Sequence, residues 1–226
     1  MLNLDNKKIL IIMAHPDDEI IFGWPIFQNK NIDKFYLCCS TDEFNNQRQW
    51  CSHRKQSLQK ICNINNTKLW TIPAPSEFYK LNSRRRKGEP KTVDGDKTSD
   101  LRIFKAAISD HAKNIIIEQS IDYVFTHNPY GEYGHLDHIL IFDTVLKNIE
   151  CPIIISDILL RTNWDDPVIN KRIENIFYNH EIASNCKMNK DFYNSFKEIY
   201  EKDKVWTWSR ENQIKDHDNC NLYLIE

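Results

Sequence analysis

Two short stretches of this sequence concentrate side chains that bind cations and move protons. The first is Ala14-His15-Pro16-Asp17-Asp18-Glu19, an imidazole followed by three consecutive carboxylates. Adjacent acids in a partly buried turn repel one another, and a divalent cation is the simplest offset to that cost. Asp17 and Asp18 cannot point the same way, so one can ligate an ion while the other faces the open coordination position as a base. Helix capping is the bland alternative, with Asp17 as the cap and Asp18 and Glu19 favoured by the helix N-terminus. Capping accounts for an acid or two, but not for His15 beside them. The second stretch runs from His127 to His138 and closes on His135, Asp137 and His138. Two neutral imidazoles and one carboxylate make a three-ligand set suited to catalytic zinc, with a position left for water. Iron(II) accepts the same donors, so Fe2+ stays open beside Zn2+.

These stretches can act together only if the fold brings them to one edge. Apolar, β-branched runs alternate with segments of helical period, the pattern of a parallel sheet with crossover helices. The expected strands are Lys8 to Met13, Lys34 to Ser40, Lys68 to Ile72, Tyr123 to Thr126 and Pro152 to Asp157. The expected helices are Glu19 to Gln28, running through Gly23 and Pro25, then Gln49 to Cys62, about Leu101 to Gln119, and Leu136 to Asn148. A further strand near Ile173 to Tyr178 and a helix near Lys190 to Lys202 complete a less regular last third. The fold class is therefore α/β: one Rossmann-like domain spanning residues 1–226, its mostly parallel sheet flanked by helices. Open sheets of this kind bind ligands at the carboxyl ends of their strands. If the strands before the two stretches are both parallel members, His15, Asp18 and His138 can meet around one ion.

The 226 residues are 41% hydrophobic and 27% charged, which excludes wholesale disorder. A net charge of −2 gives no global attraction to a phosphate backbone, so no nucleic-acid partner is expected. No apolar run approaches the roughly 20 residues of a membrane span, and the start lacks a secretory h-region, so the expectation is a cytoplasmic protein. Seven cysteines without a C-x-x-C read as free thiols and speak against a thiolate zinc site. Oligomeric state is not legible. Residues 73–100 form a long polar loop, and within it Ser83 to Lys91 carries five basic residues and one acid. Arg84, Arg85 and Arg86 suit a bidentate grip on phosphate, with a solvated loop as the equal alternative. Trp206 and Trp208 alternate as same-face strand residues would, and packing is the commoner use of such a pair.

The motif Ala-His-Pro-Asp-Asp-Glu after the first strand, with Tyr133-Gly134-His135-Leu136-Asp137-His138 after the fourth, resembles the PIG-L/LmbE-like family of zinc-dependent N-deacetylases. The resemblance implies zinc on His15, Asp18 and His138, with Asp17 as general base. It implies that His135, held by Asp137, donates to the oxyanion or the leaving amine, and that Tyr133 helps stabilise the tetrahedral intermediate. Arg54 falls where members often carry a substrate-contacting arginine, and Tyr130 and Glu132 are candidates for the mouth near Tyr133. The implied reaction removes an acetyl group from an N-acetylated amino sugar or its nucleotide-, lipid- or thiol-linked conjugate. The implied partner is thus a small amino-sugar substrate, with or without phosphate. Leu136 replaces a usual proline, Ser57 a usual acid, and neither Ser40 to Glu43 nor Pro73 to Glu77 carries the glycine and aspartate common there. The catalytic set is intact while the substrate-reading set is altered. Hydrolysis of another amide or a phosphoester, and a catalytically silent sugar-binding member of the fold, are the alternatives.

Overall fold

The computed structural model describes residues 2–39, 50–75, 99–158, 180–206, 208 and 218–225. The first strand, β1 (Lys8–Met13), is continuously apolar because it is covered on both faces. Ile9, Ile11 and Met13 pack into one layer of the core, and Leu10 and Ile12 into the other. Next come two short helices, α1 (Asp18–Ile21) and α2 (Trp24–Phe27), then β2 (Asp33–Cys38), α3 (Trp50–Ile64), β3 (Lys68–Thr71), α4 (Ser99–Gln119) and β4 (Tyr123–Thr126). The chain continues through a kinked turn, α5 (Gly131–Gly134), into α6 (Leu136–Asn148), β5 (Ile153–Ser156), β6 (Ile182–Lys187), α7 (Lys190–Lys202) and β7 (Asn219–Ile225).

Seven strands form one sheet in the order β3-β2-β1-β4-β5-β7-β6. The first five are parallel, whereas β7 pairs antiparallel with β5 and β6 antiparallel with β7. One core layer lies under α1, α2, α3 and α7, and the opposite layer under α4 and α6. The expected α/β class and mostly parallel sheet are present. The six cysteines whose surroundings are described are free thiols. No helix among the described residues is long and apolar enough to cross a membrane.

Several expectations are corrected. The single helix expected over Glu19 to Gln28 is two helices broken at Gly23. A Cβ on Gly23 would stand 2.8 Å from the Glu19 carbonyl oxygen, so only glycine lets the chain turn back this closely. Pro25 then sits in the first turn of α2, where its missing N–H costs nothing. The sequence reading did not foresee β6 and β7, while α7 lies as expected. The strand expected near Ile173 to Tyr178, most of the 73–100 loop and Arg84, Arg85 and Arg86 lie outside the described residues. Trp206 and Trp208 are not in a strand. Trp206 packs 6.0 Å from the Tyr200 ring, and Trp208 lies 5.2 Å from Tyr133 and 5.6 Å from Phe22.

Candidate active site

Because β1 and β4 are neighbouring parallel strands, the loops leaving them open on the same edge of the sheet. There His15 Nδ1 lies 3.3 Å from Asp18 Oδ2. His138 Nε2 is 3.4 Å from the same oxygen and 3.2 Å from His15 Nδ1. A tetrahedral ion with bonds of roughly 2.0–2.1 Å holds its donors about 3.3 Å apart, so these three atoms fit one face of such a site. Each imidazole is turned by a carboxylate on its other nitrogen: His15 Nε2 meets Asp137 Oδ2 at 3.0 Å, and His138 Nδ1 meets Glu132 Oε2 at 2.5 Å. Such pairing fixes the rings and leaves Nδ1 of His15 and Nε2 of His138 as donors. Asp18 is fixed in turn by the His15 backbone N–H, which donates to Oδ2 at 2.7 Å.

The electrostatics favour positive charge at this spot. Burial opposes a charge on His15, yet Asp137 and Asp18 outweigh it and raise the pKa to about 10. Burial pushes Asp18 up, but His138, His127 and His15 hold it well below the usual carboxylate range. Glu132 is likewise raised by burial and then pulled down to about 2 by His127 and His138. Two overlapping donor groups occur among the described residues, His15 with His135 and His138, and Asp18 with His127 and His138. His127 is poorly placed to ligate. Its Nε2 accepts the Ala14 N–H at 2.9 Å, and its Nδ1 faces both Glu132 oxygens at 3.1 Å. Stacked 3.9 Å from His138, it forms the back wall of the site.

Asp17 and Asp18 diverge because the backbone of Asp17 is left-handed, with φ 94° and ψ −21°, a region that costs a non-glycine residue about 1–2 kcal/mol. Arg54, from α3, takes Asp17 Oδ1 at 2.6 Å and also donates to the Pro16 carbonyl. Burial raises the Asp17 pKa to about 6, against the pull of Arg54. The group is therefore a carboxylate at neutral pH with basicity close to it, which suits a general base. Glu19 is fully buried. One of its oxygens accepts the Asp17 N–H at 2.9 Å and the other the Tyr200 hydroxyl at 2.8 Å, and burial pushes its pKa up to about 8 despite the Tyr200 bond.

His135 stacks 4.5 Å from His138 and lies edge-on to His15 at 5.0 Å and to Tyr133 at 5.2 Å. His15, Tyr133 and His135 are half-buried where the other site residues are buried, so they mark the open side. Burial, with His138 and His15 nearby, holds His135 well below its ordinary pKa and keeps it neutral.

Three expectations change on this geometry. Asp137 serves His15 more closely than His135, whose Nδ1 stands 3.7 Å from the same carboxylate oxygen. Tyr130 and Glu132 are each 1% exposed and do not line a mouth. Glu132 is turned inward by positive φ values at Gly131 and at Glu132 itself, and a Cβ on Gly131 would stand 3.0 Å from that of His138. Arg54 is buried behind Asp17 instead of lying open to a substrate. The sequence reading missed the roles of His127, Glu132, Glu19 and Tyr200. Only the second imidazole-rich stretch hinted at the first two, and no local signal pointed to Tyr200.

Comparison with known proteins bears on the fold and the family. Among solved structures, a deacetylase–teicoplanin complex from the teicoplanin biosynthesis pathway superposes with a TM-score of 0.59 at 12% identity, covering 96% of this chain and 97% of that one. The A40926 pseudoaglycone deacetylase superposes with a TM-score of 0.59 at 11% identity, covering 98% of each chain. A zinc-inhibited form of teicoplanin deacetylase gives 0.51 at 13% identity, covering 96% and 97%. These likenesses show a shared fold. No curated protein sequence matches. The profile described as PIG-L, GlcNAc-PI de-N-acetylase, matches residues 10–149, which hold both imidazole–carboxylate stretches and more than half of the sequence. The chain belongs to the PIG-L family.

Proposed function

We propose that this protein is a metal-dependent N-deacetylase that hydrolyses the acetamide of an N-acetylated amino sugar or its conjugate. The observation that carries the reading is the convergence of His15 Nδ1, Asp18 Oδ2 and His138 Nε2 at 3.2–3.4 Å, with a buried carboxylate base beside them. These three residues would hold the ion, and the carboxylates behind the imidazoles suit zinc. The zinc-inhibited form of a teicoplanin deacetylase shares the fold, which supports an ion at this site and leaves Fe2+ as the nearest alternative. A divalent ion bound there supplies Lewis-acid polarisation of a carbonyl and a lowered pKa for water.

The residues of the chain do the rest. Asp17, ionised at neutral pH and pinned by Arg54, takes the proton from the attacking water. Neutral His135 and the Tyr133 hydroxyl, on the open side, donate to the oxyanion that develops on the acetamide. Asp137 sets the His15 ring, and Arg54 acts on the substrate through Asp17. Arg84, Arg85 and Arg86 are the candidate grip for a phosphate-bearing conjugate, a role that predicts a raised KM for such substrates when all three are replaced by alanine.

The test is acetate release from free, nucleotide-linked and lipid-linked N-acetylhexosamines by metal-stripped protein with and without zinc. Zinc-restored acetate is expected, and Asp17→Asn should keep the ion while losing about 10²–10⁴-fold in turnover. Absence of acetate from every substrate with zinc bound would overturn the deacetylase reading, and a fully active Asp17→Asn enzyme would remove Asp17 from its role.

A further inference from the structure

The left-handed backbone of Asp17 needs something to hold it, and the obvious partners do not suffice. Arg54 grips the carboxylate, and Ile20 and Ile21 donate to the Asp17 carbonyl at 3.1 Å each. Neither contact reaches the Asp17 N–H. That group is taken by Glu19 Oε2 at 2.9 Å, from a side chain that is 0% exposed. A carboxyl group placed so deep is costly unless its oxygens are satisfied. The second oxygen is satisfied by the hydroxyl of Tyr200, also 0% exposed, which arrives from α7, 181 residues further along the chain.

We infer that Tyr200 and Glu19 form a positioning pair that locks Asp17 in its left-handed conformation, which makes helix α7 a working part of the active site. The inference rests on the reading of Asp17 as the base. Glu19 keeps the Asp17 N–H on one oxygen, so the carboxylate of Asp17 is aimed away from Asp18. Tyr200 stops the Glu19 side chain from rotating off that N–H. Neither residue touches the substrate; both act through Asp17.

Three variants test the pair. Tyr200→Phe removes only the hydroxyl and should lower kcat for acetate release about ten-fold, with KM and zinc content unchanged, because small displacements of a catalytic group lose large factors in rate. Glu19→Met fills the same space without an acceptor. A purely structural Glu19 predicts a loss of stability, because the Asp17 N–H and the Tyr200 hydroxyl are left unpaired, with kcat per folded molecule unchanged, whereas a positioning Glu19 predicts at least a ten-fold loss in kcat of the folded, zinc-loaded protein. Glu19→Gln keeps an acceptor for the Asp17 N–H and can donate to the Tyr200 oxygen, and should retain most of the activity. In the Asp17→Asn background, Glu19→Met should have no further effect on the residual rate.

A readout independent of turnover is hydrogen exchange at the Asp17 amide, protected in the parent protein and in Glu19→Gln but fast in Glu19→Met. Full kcat in Glu19→Met, or unchanged protection of the Asp17 amide, would overturn the inference. If Asp17→Asn proves fully active while the amide still loses protection in Glu19→Met, the positioning pair stands and the role of Asp17 as base falls.

Discussion

Strands β1 to β5 run parallel, and the loops leaving two of them supply every imidazole and carboxylate placed around the ion site. Strand β7 runs against them and β6 pairs antiparallel with β7, and the residues of these two strands include no histidine, aspartate or glutamate. The difference follows from topology. Parallel strands all end on one edge, so loops distant in sequence open side by side there. An antiparallel extension splits its loops between the two edges, and here it widens the covered core and leads the chain to α7, which packs over α1 and α3. Chemistry and support are thereby divided along the sheet, with Tyr200 beside Glu19 and Trp208 beside Tyr133 as points where the supporting half reaches into the chemical half.

The largest effect should come from the chemical half. His138→Ala removes one donor and leaves the buried Glu132 carboxylate facing His127 without its second imidazole. Zinc content measured by elemental analysis should fall to background, and acetate release should drop by more than about 10³-fold. Strong residual activity without bound metal would break the division at its chemical end. Next in size is a change confined to the support. Leu222, in β7, is 0% exposed and sits in the core layer beneath α7. Leu222→Ala should cost about 2–5 kcal/mol in urea unfolding, while kcat per folded molecule stays unchanged. A matching loss of kcat would show that the two halves are coupled through packing and not only through Tyr200.

The same division explains how far the sequence could be read. The parallel strands are short, largely apolar runs between helical segments, and the five are found within a residue or two of where the pattern puts them. The edge strand β6, Ile182-Ala183-Ser184-Asn185-Cys186-Lys187, is half-exposed and half polar, and its pairing partner β7 lies more than 30 residues later. Nothing local marks it as a strand, because its stability comes from that distant partner. In the site, His15, Asp17, Asp18, His135 and His138 declare themselves by residue type. Glu132 does not, since its inward turn depends on positive φ at two successive residues, and Asp137 reads as a partner of His135 because only three dimensions bring His15 nearer.

Glu132 offers a finer test within the chemical half. Glu132→Gln keeps the shape but presents one carbonyl oxygen where His127 and His138 now share a carboxylate. Zinc affinity, measured by competition with a chelator, should weaken about 10–100-fold. An unchanged affinity would mean that the imidazole of His138 is held by packing alone, with His127 stacked against it as the sufficient constraint.

The smallest effect belongs to the seam between the halves. Asp203, which ends α7, accepts from Ser57 at 2.7 Å and from Lys60 at 2.7 Å, both on α3. Ser57 thus meets a carboxylate that comes from the end of α7. Hydrogen bonds from Lys60 and Ser57 hold the Asp203 pKa below its ordinary value. A depressed carboxylate contributes stability above its unfolded pKa of about 3.9 and loses that contribution as pH falls through the folded value. Asp203→Asn should therefore lower Tm slightly at pH 7, less in high salt because Lys60 is largely exposed. The gap between the two proteins should close as the pH is lowered through about 4 and below. Equal Tm values at pH 7 would assign the docking of α7 to packing of Tyr193, Phe196 and Tyr200 alone. Tyr200 would then reach Glu19 without help from the charged seam, and the link between the halves would rest on the apolar face of α7.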